Sequence, residues 1–395
     1  GGEGAPPPRS MPKHSGEADL PEVLARLVVA HPRVPRWLIK IDDETGGRGL
    51  AHLDVSVLKP VQQVLEAVMP MSEGMREALE DEELILVLTS AIKKALPRRA
   101  GVADPSLFPT WAAFEAAFKR RGGVVEACPA MVTGSPSVNL FIDPLGEVTV
   151  LATHEQVFCP AYRFIGASFP QSSVPHAALA AAAMAVGEAC YSEGVIGHVG
   201  VDFVALKEAN VLRLWAVDLN VRPTATQATF DLFHFVAGGD FDAEAGAYTV
   251  EIPAEEEGSE AMLARRAAGE AEAEASQEGE QQRRFYVMND FVSHPDLCSI
   301  QYSAFFNRCR LDGVCYDMEA RVGTAFNLLD TFASGVVGVI CVGRTPYEAF
   351  AELAQALDFV ARQVGADTLP AGSEGEWTLR NVHSTMKYLA DKLLA

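Results

Sequence analysis

Apolar residues recur along this chain with two periods. A spacing near 3.6 predicts helices over Pro21 to Ala30, Val61 to Met69, Arg76 to Leu96 and Trp111 to Arg121. Further helices are expected over Val174 to Tyr191, which is alanine-rich and stops at Gly194, and over Thr229 to Val236. Short continuous or alternating apolar runs predict strands at Trp37 to Ile41, Val124 to Cys128, Val138 to Phe141 and Val148 to Leu151. The last two flank the turn signal Asp143-Pro144-Leu145-Gly146. From Phe285 onward a strand, a helix over Ser299 to Leu311, strands at Val314 to Met318, Thr324 to Leu329 and Gly335 to Cys341, and two helices, Pro346 to Val364 and Leu379 to Leu394, follow in turn. Strands mixed with helices place the chain in an α+β or α/β class.

The central pattern is Gly200 to Arg222: two apolar runs joined by the polar turn Lys207 to Asn210. Alternate residues of a strand share a face, so Asp218, Asn220 and Arg222 point the same way, and a hairpin brings Asp202 beside them. Two carboxylates, an amide oxygen and a guanidinium suit a hard cation holding polyphosphate. The same pattern also fits an ordinary hairpin with a wet polar face. Upstream, Lys40 ends a strand before the turn Gly46-Gly47-Arg48-Gly49. Glycines let backbone N–H groups approach an anion that the cations neutralise, although such turns also simply join strands. The strand leading to Pro129 through Glu126 and Cys128 ends in an extended hinge whose main chain suits an adenine edge.

Composition narrows the classes. The chain has 395 residues, 49% hydrophobic and 22% charged, which is globular. Its net charge of -21 argues against nonspecific binding to nucleic acid or anionic membrane, and no apolar run reaches transmembrane length. Seven cysteines without a C-x-x-C pair favour a reducing, cytoplasmic setting over a disulfide framework or zinc knuckle. The basic stretch Ile92 to Arg99 reads as a solvated helix face or a partner site. The Gly/Pro-rich start lacks Met and a signal peptide, and predicts a fragment of a longer chain. The expected divisions are a lead-in over 1–20, a first unit with a helical insertion over 21–130, a second unit with the hairpin over 131–250, an acidic low-complexity linker over 251–284 and an α/β region over 285–395.

The order of the three signals resembles the ATP-grasp superfamily: lysine and glycine loop, hinge strand, then acid and acid-x-Asn. Runs such as IKIDDETGGRGLAHLDV, FPTWAAFEAAFKRRGGVVEACP, GHVGVDFV and GVCYDMEARVGTAFNLLD resemble more closely the C-terminal part of the IQ-domain-containing protein H family. The resemblance implies an α+β ATP-grasp fold of lid and core with an added C-terminal α/β segment. It implies ATP held by Lys40, Gly46, Gly47, Arg48 and Gly49, with Glu126 and Cys128 at the adenine, Mg2+ on Asp202, Asp218 and Asn220, and Arg222 as the catalytic cation. Asp stands at 218 where the superfamily usually carries Glu, and Arg at 48 where it often carries Lys. The family is associated with cilia and flagella, so the implied role is a structural or regulatory protein of the axoneme. Axonemal proteins, and calmodulin through a region upstream, are the implied partners. The alternative is an active ATP- and magnesium-dependent carboxylate–amine ligase.

Overall fold

The computed structural model describes residues 19–44, 46–72, 74–75, 82–129, 131–159, 162–208, 211–252, 280–328, 332–364, 380 and 382–394. The lead-in over 1–18, the predicted helix start at Arg76 to Asp81, the tip of the central hairpin and most of the acidic stretch lie outside these residues.

The first layer is a small sheet backed by helices. Strands β1 (Arg36–Ile41), β2 (Leu50–Asp54), β3 (Gly101–Val102) and β4 (Gly123–Cys128) form an antiparallel sheet in the order β3-β2-β1-β4. Alternation in β1 buries Trp37, Ile39 and Ile41 and leaves Arg36, Leu38 and Lys40 on the other face. The buried face packs on α1 (Leu20–Ala30), α2 (Lys59–Val68), α3 (Glu82–Arg99) and α4 (Trp111–Arg121), whose Leu24, Val61, Leu88, Ile92 and Phe114 complete one core. Thr110 caps α4 by accepting the Ala113 amide, and three basic residues close its last turn, both favourable for a helix.

The second layer is a ten-stranded sheet ordered β10-β9-β6-β7-β8-β14-β17-β16-β15, with β5 beside β9. Its strands are β5 (Val132–Gly134), β6 (Pro136–Ile142), β7 (Val148–Cys159), β8 (Arg163–Phe169), β9 (Gly197–Glu208), β10 (Val211–Asn220), β14 (Phe285–Ser293), β15 (Tyr316–Asp317), β16 (Val322–Asn327) and β17 (Val336–Gly343). On one face Val138, Val199, Val201 and Phe203 pack with α5 (His176–Ser192). Farther along, β14 and β17 pack with α8 (Pro346–Val364) and α9 (His383–Leu394), while α7 (Tyr302–Leu311) adds Phe305 to the same cluster. On the opposite face, Phe230 and Phe233 of α6 (Ala225–Ala237) meet Phe169 and Tyr286. The strands of the C-terminal stretch extend this sheet through the β8–β14 pairing, so no seam divides the sheet there.

Three differences from the expected elements have physical causes. β7 continues eight residues past Leu151, to Cys159, because both of its faces are covered and His154 finds polar partners there. β8 was not expected, since Arg163-Phe164-Ile165-Gly166-Ala167 carries few alternating polar positions. Part of the expected linker is ordered: β13 (Glu280–Arg283) pairs with β12 (Ala247–Ile252), which pairs with β11 (Asp240–Asp242). No helix of the described residues is long and apolar enough to cross a membrane.

Candidate functional site

The β9–β10 hairpin builds the acidic end of the site, and one irregularity makes it work. Leu214 and Ala216 lie opposite Ala205 and Phe203, whose side chains face the α5 core. Unbroken alternation would turn Asp218 and Asn220 toward that same core. A β-bulge between Ala216 and Asp218 inserts Val217 and reverses the pattern, so Asp218 lies opposite Asp202 and Asn220 opposite Gly200. Asp218 and Asn220 are joined by an Nδ2-to-Oδ2 hydrogen bond of 3.2 Å, and Arg222 donates to Asn220 Oδ1 at 2.9 Å. The four residues expected together are therefore brought together.

The neighbouring strands complete the floor. Ser137 of β6 lies opposite Asp202, is buried, and its Oγ has no hydrogen-bond partner. Burial pushes the Asp202 carboxyl up to about 6, and Asp218 adds to the rise, while a Gln156 hydrogen bond and the charges of Lys40 and Arg222 hold it down. A carboxylate so placed gains from a cation. The donor set is two carboxylates, one amide and a hydroxyl on one face. That suits Mg2+, a hard ion that keeps several waters and takes one or two carboxylates. Among the described residues no cluster of three or more His, Cys, Asp or Glu offers a denser cage. Gly200 lets the helix approach: a Cβ there would stand 2.6 Å from Thr224 Cγ2. Thr224 caps α6 and donates to Asn139 Oδ1 at 2.7 Å.

The lid supplies the cations, and each has an acid partner. Lys40 Nζ is 2.6 Å from Glu126 Oε2, a diagonal pair across β1 and β4, on the face away from the lid core. The Lys40 charge also lowers the Asp202 carboxyl, which puts this lid face within electrostatic reach of the acidic hairpin. Arg48 is placed differently from the expectation that it faces phosphate. Its Nε lies 3.2 Å from Asp104 Oδ2, and Asp104 is fully buried. Gly46 and Gly47 have φ of +63° and +76°, a region glycine enters freely, and Gly46 O accepts the Phe164 amide at 3.1 Å. Gly49 closes the loop before β2. Cys128 Sγ lies 3.3 Å from the Tyr162 hydroxyl, beside an Arg36–Asp54 pair.

Sequence reasoning missed Ser137, Gln156, Asp104 and Arg163. For Gln156 a signal existed, since His154 and Gln156 continue the alternation of β7, but no apolar residue marks it. His154 is fully buried, its Nε2 is 2.5 Å from the Tyr286 hydroxyl, and burial lowers it to about 3, which keeps it neutral and structural.

Comparison with known proteins follows the same lines. A family profile described as IQCH-like, ATP-grasp matches residues 7–244. The zebrafish (Danio rerio) IQ motif-containing protein H is 27% identical over 374 residues, covering 93% of this chain and 33% of that relative. The chain thus spans a third of the length of this relative. Among solved structures, carboxyaminoimidazole ribonucleotide synthase of Aspergillus clavatus complexed with ATP is similar at 14% identity and a TM-score of 0.45, over 90% of this chain and 69% of that one. The biotin carboxylase domain of Hydrogenobacter thermophilus 2-oxoglutarate carboxylase, with MgADP, ADP and bicarbonate, is similar at 13% identity and a TM-score of 0.44, over 89% and 62%.

Proposed function

The chain belongs to the IQCH-like ATP-grasp family, and from that premise we propose that it holds a magnesium nucleotide in the cleft between lid and sheet. In this reading it serves as a structural or regulatory component of the cilium or flagellum. The observation that carries the nucleotide reading is the meeting of Asp202, Asp218 and Asn220 on one hairpin face, within reach of the Lys40 charge. Packing alone gives no reason for an acid beside an acid on a half-buried sheet face, because buried charges need partners.

Bound magnesium would supply positive charge that offsets the charge of the phosphates. Asp202 and Asp218 would hold it from opposite strands, and Asn220 would fix the orientation of Asp218 through their hydrogen bond. Arg222, positioned by Asn220, would face the terminal phosphates. Lys40 would exchange part of its contact with Glu126 for the nucleotide. Glycine backbone at 46 and 47 would cover the phosphates.

The scaffold role rests on the family resemblance, and calmodulin would act through the region upstream. The test is thermal unfolding with and without millimolar Mg-ATP, repeated for Asp218→Ala and Asn220→Ala, since a ligand that binds only the folded state raises its stability. Expected is a rise for the parent chain that both substitutions abolish, without ADP release over a panel of acids and amines. No shift for the parent chain sinks the nucleotide reading. ADP release with one acid–amine pair replaces the scaffold reading with a carboxylate–amine ligase. A tagged full-length protein in ciliated cells should follow the axoneme, and a diffuse cytosolic signal counts against the ciliary role.

A further inference from the structure

Several lid contacts outside the candidate cleft converge on one short segment, Tyr162 to Phe164, where β8 begins. The Phe164 amide donates to Gly46 O at 3.1 Å, which ties the glycine loop directly to the large sheet. Gly47 sits so close to this segment that a Cβ on it would lie 2.2 Å from Tyr162 O. The Tyr162 hydroxyl accepts from Arg36 Nη1 at 2.6 Å and reaches Cys128 Sγ, so it touches β1 and the end of β4 together. Arg163 Nη1 lies 3.4 Å from Asp104 Oδ2, the same oxygen that holds Arg48.

Asp104 makes this joint specific. Its Oδ1 accepts the Ser106 hydroxyl at 2.5 Å and the Ser106 and Leu107 amides at 3.0 and 3.2 Å, so the carboxylate is fixed to the lid. Its Oδ2 faces two guanidiniums, one from the glycine loop and one from the sheet. Asp104 is fully buried and Arg163 is 5% exposed, so water does not compete for the pair. A carboxylate and guanidinium that meet across two bodies, out of water, hold the bodies together and resist separation, because parting them leaves charges uncompensated.

We infer that Tyr162 to Phe164 is a clasp that holds the glycine loop closed over the cleft, with Asp104–Arg163 as its ionic catch. Entry to the cleft then requires the catch to release, and the segment regulates access to the site. The inference rests on the nucleotide reading only for the identity of what enters.

The test needs no ligand, so its failure is distinguishable from failure of that reading. The reporter is the Phe164 amide, whose hydrogen bond to Gly46 spans the joint and whose exchange with deuterium reports opening. Exchange is followed in the ligand-free chain and in Arg163→Gln and Arg163→Lys. Expected is a rise of about tenfold at Phe164 and in the loop 46–50 for Arg163→Gln, the size of one lost buried polar contact. Arg163→Lys should lie between, while Val199 and Val201 in β9 keep the parent rate. Unchanged exchange at Phe164 with β9 intact overturns the clasp, and so does acceleration spread evenly into β9. Tyr162→Phe, which removes the contact with Arg36, is read by the same criteria if Arg163→Gln does not fold.

Discussion

Replacing Asp218 by Asn separates the two demands placed on the acidic pair. Directly opposed residues on antiparallel strands hold their Cβ atoms about 5 Å apart. Two carboxylates at that spacing repel by about 3 kcal/mol at an effective dielectric constant near 20, and exposure of Asp218 with salt screening reduces this to about 1 kcal/mol. For Asp202 burial is the larger cause, and together they raise its pKa from 3.8 to about 6. A rise of about two units corresponds to a ceiling of about 3 kcal/mol. The sign follows from proton binding: the folded state holds this proton more tightly than the unfolded chain. Metal-free stability is therefore full below the unfolded value and falls as pH rises toward and through about 6. Asn keeps the shape and removes the repulsion. Metal-free Asp218→Asn should be more stable than the parent by about 1 kcal/mol near neutral pH, with the difference vanishing below about pH 4. Millimolar MgCl2 should then stabilise the parent and leave the variant unchanged. Urea unfolding at low salt, across pH and with and without MgCl2, measures both effects. A variant less stable at neutral pH, or an equal magnesium response in the two proteins, refutes the reasoning.

Three further outcomes follow from the same geometry. Burial lowers His154 from 6.5 to about 3, so the stability of its neutral form is present above the unfolded value and is lost as pH falls from there. His154→Gln should flatten that acid limb, whose ceiling is about 5 kcal/mol, at a cost of about 1–2 kcal/mol near neutral pH for the lost Tyr286 contact, read by unfolding at stepped pH. Gly47→Ala places a methyl against Tyr162 O at a positive φ, and should undock the loop at a cost of about 1–3 kcal/mol. Rapid exchange of the Phe164 amide is its readout. ATP in excess EDTA should give no thermal stabilisation, whereas an equal shift with and without magnesium counts against Asp202 and Asp218 as metal ligands.

Legibility in the sequence tracked the range of the interaction. Trp37, Ile39 and Ile41 announce β1 by alternation alone, and the glycines of the loop announce a turn. The union of Asp202 with Asp218, Asn220 and Arg222 was also readable, but by simple alternation from Asp218. The molecule reaches it through a bulge at Val217 that no local pattern marks. Asp104 shows the opposite limit. In sequence it is one acid in a polar turn, and its partners Arg48 and Arg163 stand 56 and 59 positions away. The pairing of Arg48 was therefore not legible: a cation in a glycine loop reads as a phosphate ligand alone until its buried counter-ion is located.

That counter-ion alters how the cleft can bind polyphosphate. With Arg48 paired to Asp104, the charges that act on the hairpin acids Asp202 and Asp218 are Lys40, itself paired with Glu126, and Arg222. Acids outnumber cations there, within a chain whose net charge is -21. A bare triphosphate would bring further negative charge to a site already negative, and Coulomb repulsion at such distances costs kilocalories. A divalent ion held by Asp202 and Asp218, as proposed, would reverse the sign locally and offset the phosphate charge. On the proposed reading, affinity for the nucleotide would be set by the metal, and access to it by the proposed clasp at Tyr162 to Phe164. A site with those two controls would report nucleotide and metal without turnover, as the proposed regulatory role requires.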